Sequence, residues 1–225
     1  MKILLFGGSG TLGTELQQLD KTLICPPKGE VNIRYIDEVR TCIKHHSPDI
    51  VIHSAASISN IDIEKNPEIG IETNIIGTSN VSIVCAQNDI RLVYISTDYV
   101  YNGKTGNYTE TSPIDPTNIY AWTKLGGECA VKCVSNHLII RTSFGTTVFP
   151  YTVAYDNQYT SKDYVDVIAP MILNAVNSKT IGVLNIGTDR KSMYEYATER
   201  NDAILKKNTN FKDHSLNTKK YYEIK

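Results

Sequence analysis

Tyr120 and Lys124, in the run YAWTK, stand four residues apart, so on a helix both side chains leave the same face. Together they could serve a carbonyl reduction. A ketone accepts hydride poorly unless the developing alkoxide is neutralised. A tyrosine, with a pKa of about 10 when free, becomes a suitable acid if a nearby ammonium favours its phenolate. The same lysine can hydrogen-bond a cofactor ribose. A hydroxyl touching the carbonyl oxygen completes such a site. Ser96 and Thr97, in YISTDYVYNG (94–103), are both candidates, and Ser96 also counts among the cofactor contacts. By itself the pair favours the plainer reading, since most Tyr/Lys pairs at this spacing are ordinary surface residues.

The run FGGSGTLG (6–13) follows an apolar stretch and opens a helical one, with Gly7, Gly10 and Gly13 spaced as GxxGxxG. In a dinucleotide-binding loop one glycine makes the turn, one lets the backbone approach a pyrophosphate and one lets the helix pack on the strand. Free N–H groups at the helix start then face the phosphates. Gly7, Ser9, Gly10, Thr11, Leu12 and Gly13 are therefore cofactor-binding candidates. An NAD fingerprint places an acid about 20 residues further on to hold the ribose 2′-hydroxyl. Here the region reads ICPPKGE, with no acid at the end of the second strand. Lys28 could meet a 2′-phosphate or be a solvated loop lysine, and Glu30 would lie nearer the adenine. NADP(H) is favoured, with NAD(H) as the alternative.

Apolar runs KILLF (2–6), TLIC (22–25), DIVIH (49–53), RLVYIS (91–96) and LIIRT (138–142) read as strands buried on both faces. Helical stretches near 11–20, 36–47, 66–88 and 117–134 alternate with them. The expected fold is α/β, a Rossmann-type doubly wound parallel sheet with a small C-terminal substrate lobe. Residues 1–145 form the NAD(P)-binding domain and 146–225 the reduced lobe packed on it. In the lobe, GTTVFPYTVAYDNQYTSKD (145–163) reads as irregular. A helix near 163–177, a strand at 182–186, a last helix near 192–206 and a loosely ordered tail at 208–225 follow.

A formal net charge of −1 over 225 residues argues against nucleic acid and anionic membranes as partners. No apolar run is long enough to span a bilayer, and the N-terminal one is too short for a signal peptide. The five cysteines are scattered, and Cys129 and Cys133 are one residue too far apart for CxxC. His45 and His46, adjacent on a helix, are expected to face different directions. These residues read as non-ligands in a reducing cytoplasm, and no metal is expected.

The glycine loop, HSAA (53–56), STDYVYNG (96–103), YAWTKLGGE (120–128) and RTSFG (141–145) occur in the order found in extended short-chain dehydrogenase/reductases. The chain most resembles their dTDP-4-dehydrorhamnose reductase branch. That resemblance makes Thr97, Tyr120 and Lys124 catalytic. It places Ala55, Ala56 and Asn74 at the cofactor, and Asp98 and Tyr99 at the sugar. Phe144 stands where the branch usually has a tryptophan against the substrate, and Tyr159 is the further substrate-binding candidate. DNQYTSKDYVDVIA (156–169) resembles the branch's segment with DQ and PT, but the helix usually preceding it is missing. The implied activity is NADPH-dependent reduction of the 4-keto group of a nucleotide-activated 4-keto-6-deoxy sugar, in deoxysugar and polysaccharide synthesis. A homodimer is compatible with it. An epimerase is a near neighbour, whereas a dehydratase would carry a Glu after Asp98. A non-catalytic NADP-binding regulatory subunit is the rival from another class.

Overall fold

Successive side chains of a strand point to opposite faces, and here both faces are apolar. Ile3 and Leu5 of β1 (Ile3–Phe6) enter one buried cluster, while Leu4 and Phe6 enter another. The first face is covered by α1 (Thr11–Leu19), and α2 (Ile36–His46) packs on the second. Next come β2 (Ile50–His53), α3 (Asn60–Lys65), α4 (Pro67–Gly70), a π-helical stretch Ile71–Gly77 and α5 (Thr78–Gln87). After these, β3 (Arg91–Thr97), α6 (Ile119–Val131) and β4 (His137–Thr142) complete the first part of this computed structural model, which describes residues 1–27 and 29–224.

The remainder comprises β5 (Phe144–Gly145), β6 (Val153–Tyr155), β7 (Gln158–Thr160), β8 (Asp163–Tyr164) and α7 (Val165–Asn177). It continues with β9 (Gly182–Asn185), β10 (Lys191–Ser192), α8 (Met193–Thr198), β11 (Leu205–Lys207), β12 (Lys212–Asp213) and α9 (Lys219–Tyr222). The main sheet is parallel, in the order β1-β2-β3-β4-β9, with Ser96 opposite Arg141 and Thr97 opposite Thr142. The fold is the α/β doubly wound sheet that the apolar runs imply. Its carboxyl edge carries Phe6, His53, Thr97 and Thr142, which gathers the site at one end of the sheet.

Four elements differ from the sequence expectation. TLIC makes only one bridge, Leu4 with Ile24, because Pro26 and Pro27 follow it and bring no N–H to a ladder. The segment 145–163 is not irregular: β5 pairs β8, and β7 lies between β10 and β12. The last helix stops at Thr198, and 205–207 instead pair with β6. The tail is packed, with Asp213, His214, Ser215 and Leu216 all buried.

Candidate functional site

β1 delivers the chain into Gly7, whose φ of 98° lies in the left-handed region. A Cβ there would stand 2.5 Å from the Ala55 nitrogen, so the turn rests against the chain leaving β2. Gly13 lets α1 sit on the loop, since its Cβ would come within 2.2 Å of the Gly7 carbonyl. At Gly10 a Cβ would meet nothing nearer than 3.4 Å, and no side chain caps the helix there. Gly10 is thus the open approach, and the first N–H groups of α1 lack intrahelical partners. These features fit the pyrophosphate of a dinucleotide. Ser9 and Thr11 are exposed on this loop, whereas the Leu12 side chain is in the core and can offer only its backbone.

A cleft of about 660 Å³ extends from the loop past Ala55, Ala56 and Ser57 to Asn32 and Arg34. No described residue lining it is a carboxylate. Glu30 corrects the sequence expectation. Its N–H closes a turn on the Pro27 carbonyl, and it lines a separate 440 Å³ depression with Asp37 and Glu38. His45 and His46 line that same depression with rings 4.7 Å apart, so they do not face different directions. Lys28 lies outside the described residues. Among the described residues, Arg34, paired with Glu72 at 2.9 Å and half-exposed, is the cation lining this end of the cleft. A basic residue shortly after the acid-free strand end was the available signal for it.

Asn74 is fully buried in the π-helical stretch. Its Nδ2 donates to the Ser57 carbonyl and to Thr123 Oγ1, each at 2.9 Å, and its Oδ1 accepts from Ser57 N at 2.8 Å. Its carboxamide is therefore used in fastening the cleft wall to α6 rather than left free for a ligand. A widened turn of this kind recurs at functional sites.

Asn118 accepts from Ala121 N at 2.7 Å and starts α6, so Tyr120, Lys124 and Glu128 follow one turn apart on the face toward the sheet. Gly127 lets that face touch β3, since its Cβ would lie 2.5 Å from the Tyr94 hydroxyl. Glu128 is completely buried and receives Arg141 through Nε at 3.0 Å and Nη2 at 2.7 Å. Ser96 Oγ donates to the same carboxylate at 2.6 Å. That commitment removes Ser96 as a candidate to touch a carbonyl and leaves Thr97. Thr97 Oγ1 accepts from Tyr99 N and donates to Asp98 Oδ1, both at 3.2 Å. Sequence reading missed Glu128 and Arg141; an acid four residues beyond Lys124 was the signal.

The electrostatics differ from the simple tyrosine–lysine picture. Burial pushes the Tyr120 phenol well above its ordinary value, Asp98 and Tyr99 add to this, and contact with the Thr97 hydroxyl opposes it. Lys124 Nζ instead lies 4.1 Å above the Tyr94 ring. Burial lowers the Lys124 pKa to about 7, against an upward pull from Glu128. Lys124 thus does not draw the phenol toward neutrality in this structure. Asp98 is raised to about 7, again chiefly by burial, with Lys162 and the Thr97 hydrogen bond pulling down.

His53, whose ring lies 5.4 Å from that of Tyr94, is fully buried and shares a 2.9 Å hydrogen bond with Thr78. Burial, then Lys124, lowers its pKa to about 3. An unfolded chain protonates this histidine near 6.5, so the unfolded state binds more protons between those values. His53 therefore contributes stability that is full above pH 6.5 and lost as pH falls toward 3. Asp98 works in the opposite sense between pH 7 and 3.8. The clean readout is the difference between proteins: thermal melts of His53→Gln should fall less steeply than wild type from pH 6.5 to 4. Parallel curves would show that His53 does not titrate on unfolding.

On the substrate side, Tyr99 meets the buried His214 ring edge-on at 5.0 Å. Gly103 makes room for that ring, since a Cβ there would lie 2.3 Å from its Nε2. Phe144 is half-buried against the main core cluster, so one of its faces is packing. The Tyr159 ring lies under the Arg190 guanidinium at 3.6 Å and beside Phe211, which gives it packing partners instead of an open face. Its carbonyl accepts from His214 N at 2.9 Å, so it reaches the site through its backbone. Lys162 and His214 carried no sequence signal, because the segments holding them lack apolar periodicity.

Among curated proteins, the chain is 37% identical over 149 residues to a spore coat polysaccharide biosynthesis protein of Bacillus subtilis, covering 64% of this chain and 53% of that protein. It is 36% identical over 101 residues to the methionine adenosyltransferase 2 subunit beta of Xenopus laevis, covering 44% of this chain and 30% of that one. The chain thus spans about half or less of these relatives' lengths. A dTDP-4-dehydrorhamnose reductase from Bacillus anthracis, solved in complex with NADP, superposes with a TM-score of 0.89 at 25% identity, covering 99% of this chain and 91% of that one. Among the described residues, no helix is long and apolar enough to cross a membrane. The RmlD substrate binding domain family matches residues 1–169, which is most of the chain, and the protein belongs to that family.

Proposed function

We propose that the chain reduces the 4-keto group of a nucleotide-linked 4-keto-6-deoxy sugar, with Thr97, Tyr120 and Lys124 as its catalytic residues. The observation that carries this reading is the placement of Tyr120 and Lys124 one turn apart on α6, with Lys124 over Tyr94 of β3, the strand whose carboxyl end carries Thr97. Bound NADPH supplies the hydride. Tyr120 would give its proton to the alkoxide, and because burial raises its pKa it becomes an effective acid only when its phenolate is favoured in the loaded site. Thr97, held by Tyr99 N, would supply a second hydrogen bond to the carbonyl oxygen by turning its proton there from Asp98 Oδ1. Residues 1–145 would hold the cofactor, and 146–225 would face the sugar. NADPH is favoured over NADH because the cleft lining carries Arg34 and, among the described residues, no carboxylate. NADPH oxidation with a panel of nucleotide 4-keto-6-deoxy sugars, dTDP-linked ones first, tests the reading. Turnover with at least one sugar supports it, and a preference for NADH would overturn the cofactor assignment.

A second reading is a regulatory subunit that binds the dinucleotide without turnover. The similarity to a methionine adenosyltransferase subunit favours it. Tight NADPH binding with no oxidation across the panel would select this reading.

A further inference from the structure

Arg34 and Asn32 line the same cleft of about 660 Å³ as Gly7 and Gly10. The backbone of this turn is held at several points. Asn80 Nδ2 donates to the carbonyls of Ile33 and Arg34 at 2.9 and 3.0 Å, and Arg34 N donates to Asn32 Oδ1 at 3.1 Å. Gly77, where a Cβ would stand 2.8 Å from Ile33 Cδ1, lets the π-helical stretch close against the turn. That stretch supplies Thr73 to the cleft and, one residue earlier, Glu72. Glu72 is not among the described residues that line the cleft, yet it reaches the arginine that does. Its Oε2 accepts from Arg34 Nη1 at 2.9 Å, while Asn32 Oδ1 accepts from Arg34 Nε at 3.2 Å.

A guanidinium offers five N–H donors in a planar fork and meets a phosphate best through two parallel hydrogen bonds. One such edge uses both Nη groups, and the other uses Nε with one Nη. Glu72 occupies a donor of the first edge and Asn32 a donor of the second. A phosphate that enters the cleft and forks onto Arg34 must therefore displace one of them. Asn32 Oδ1 is fixed by the backbone N–H of Arg34 as well, so it is the harder to move. Glu72 is half-exposed, and its carboxylate both fills a donor and offsets the charge that would attract the phosphate. A ribose 2′-hydroxyl carries no charge and is little affected by that competition.

We propose that Glu72 is a specificity-determining residue: it competes with a 2′-phosphate for Arg34 and so keeps the preference for NADP(H) over NAD(H) small. This rests on the NADP(H) reading above, so the test separates the two. Calorimetry on the full chain measures NADPH and NADH affinity for wild type, Glu72→Gln, Arg34→Gln and the double variant. Glu72→Gln keeps the shape and removes the charge. Exposed ion pairs are worth up to about a fivefold effect, so Glu72→Gln should bind NADPH about 2- to 5-fold more tightly and NADH within about 1.5-fold of wild type. Arg34→Gln should weaken NADPH by roughly 10- to 100-fold, the worth of hydrogen bonds to a charged group, with NADH little changed. In the Arg34→Gln background, Glu72→Gln should alter NADPH affinity by less than about 1.5-fold, because its partner is gone. Melting temperatures should stay near wild type, since the pair is half-exposed. Unchanged or weaker NADPH binding in Glu72→Gln, equal strengthening of both cofactors, the same strengthening without Arg34, or wild type binding neither would overturn the inference. Tighter binding of NADH than NADPH by wild type, alongside a selective NADPH gain in Glu72→Gln, would overturn only the cofactor preference and support the competition.

Discussion

Tyr120→Phe should lower turnover by about 10²- to 10⁴-fold, the usual worth of a positioned general acid, while NADPH affinity changes by less than about twofold. The substitution removes one oxygen from a ring that is otherwise retained. Thr97 is held by Asp98 and Tyr99 N without it, so only the proton donor is lost and the local frame persists. Lys124 offers the contrast. It is buried over Tyr94, and Lys124→Met, which keeps most of its volume, should reduce both turnover and NADPH affinity. Stopped-flow reduction and cofactor titration on the same preparations check both. Undiminished turnover in Tyr120→Phe would mean that another group supplies the proton.

The largest effect on stability is expected at Glu128 and Arg141, which are 0% and 1% exposed. Removing one member of a buried ion pair leaves the other charged and unsatisfied, typically at about 3–5 kcal/mol. For a chain of this size that corresponds to a melting temperature lower by roughly 6–20 °C. Glu128→Gln and Arg141→Met should each show such a fall. The double replacement should recover part of it, because no unpaired charge remains. Glu128→Gln should also depress the Lys124 pKa further, since Glu128 is the group that raises it. Single variants that melt within about 2 °C of wild type would show that the pair is not a structural anchor.

Those two positions mark where the sequence was legible and where it was not. Runs such as KILLF and RLVYIS declare a strand buried on both faces, because no polar face is present. The spacing of Tyr120 and Lys124 placed both on one helix face, and their order along α6 is as expected. Neither the π-helical widening around Asn74 nor the pairing of Glu128 with Arg141 has a local pattern, since each depends on partners far along the chain. The tail was misread for the same reason. Asp213 is held by Arg190 at 2.8 Å and His214 by the Tyr159 carbonyl, so polar bonds bury it without apolar periodicity. Glu30 failed differently: a turn on Pro27 carries it out of the cleft.

The central claim is that this chain transfers hydride to a sugar carbonyl and does not merely hold a dinucleotide. Incubation with NADPH deuterated at the transferring position, together with a nucleotide 4-keto-6-deoxy hexose, tests it by mass spectrometry and NMR of the sugar. A product carrying deuterium on carbon 4, formed by wild type and reduced at least about 100-fold in Tyr120→Phe, is the expected result. Recovery of the unreduced ketone across the sugar panel, from protein shown to bind NADPH, would contradict it.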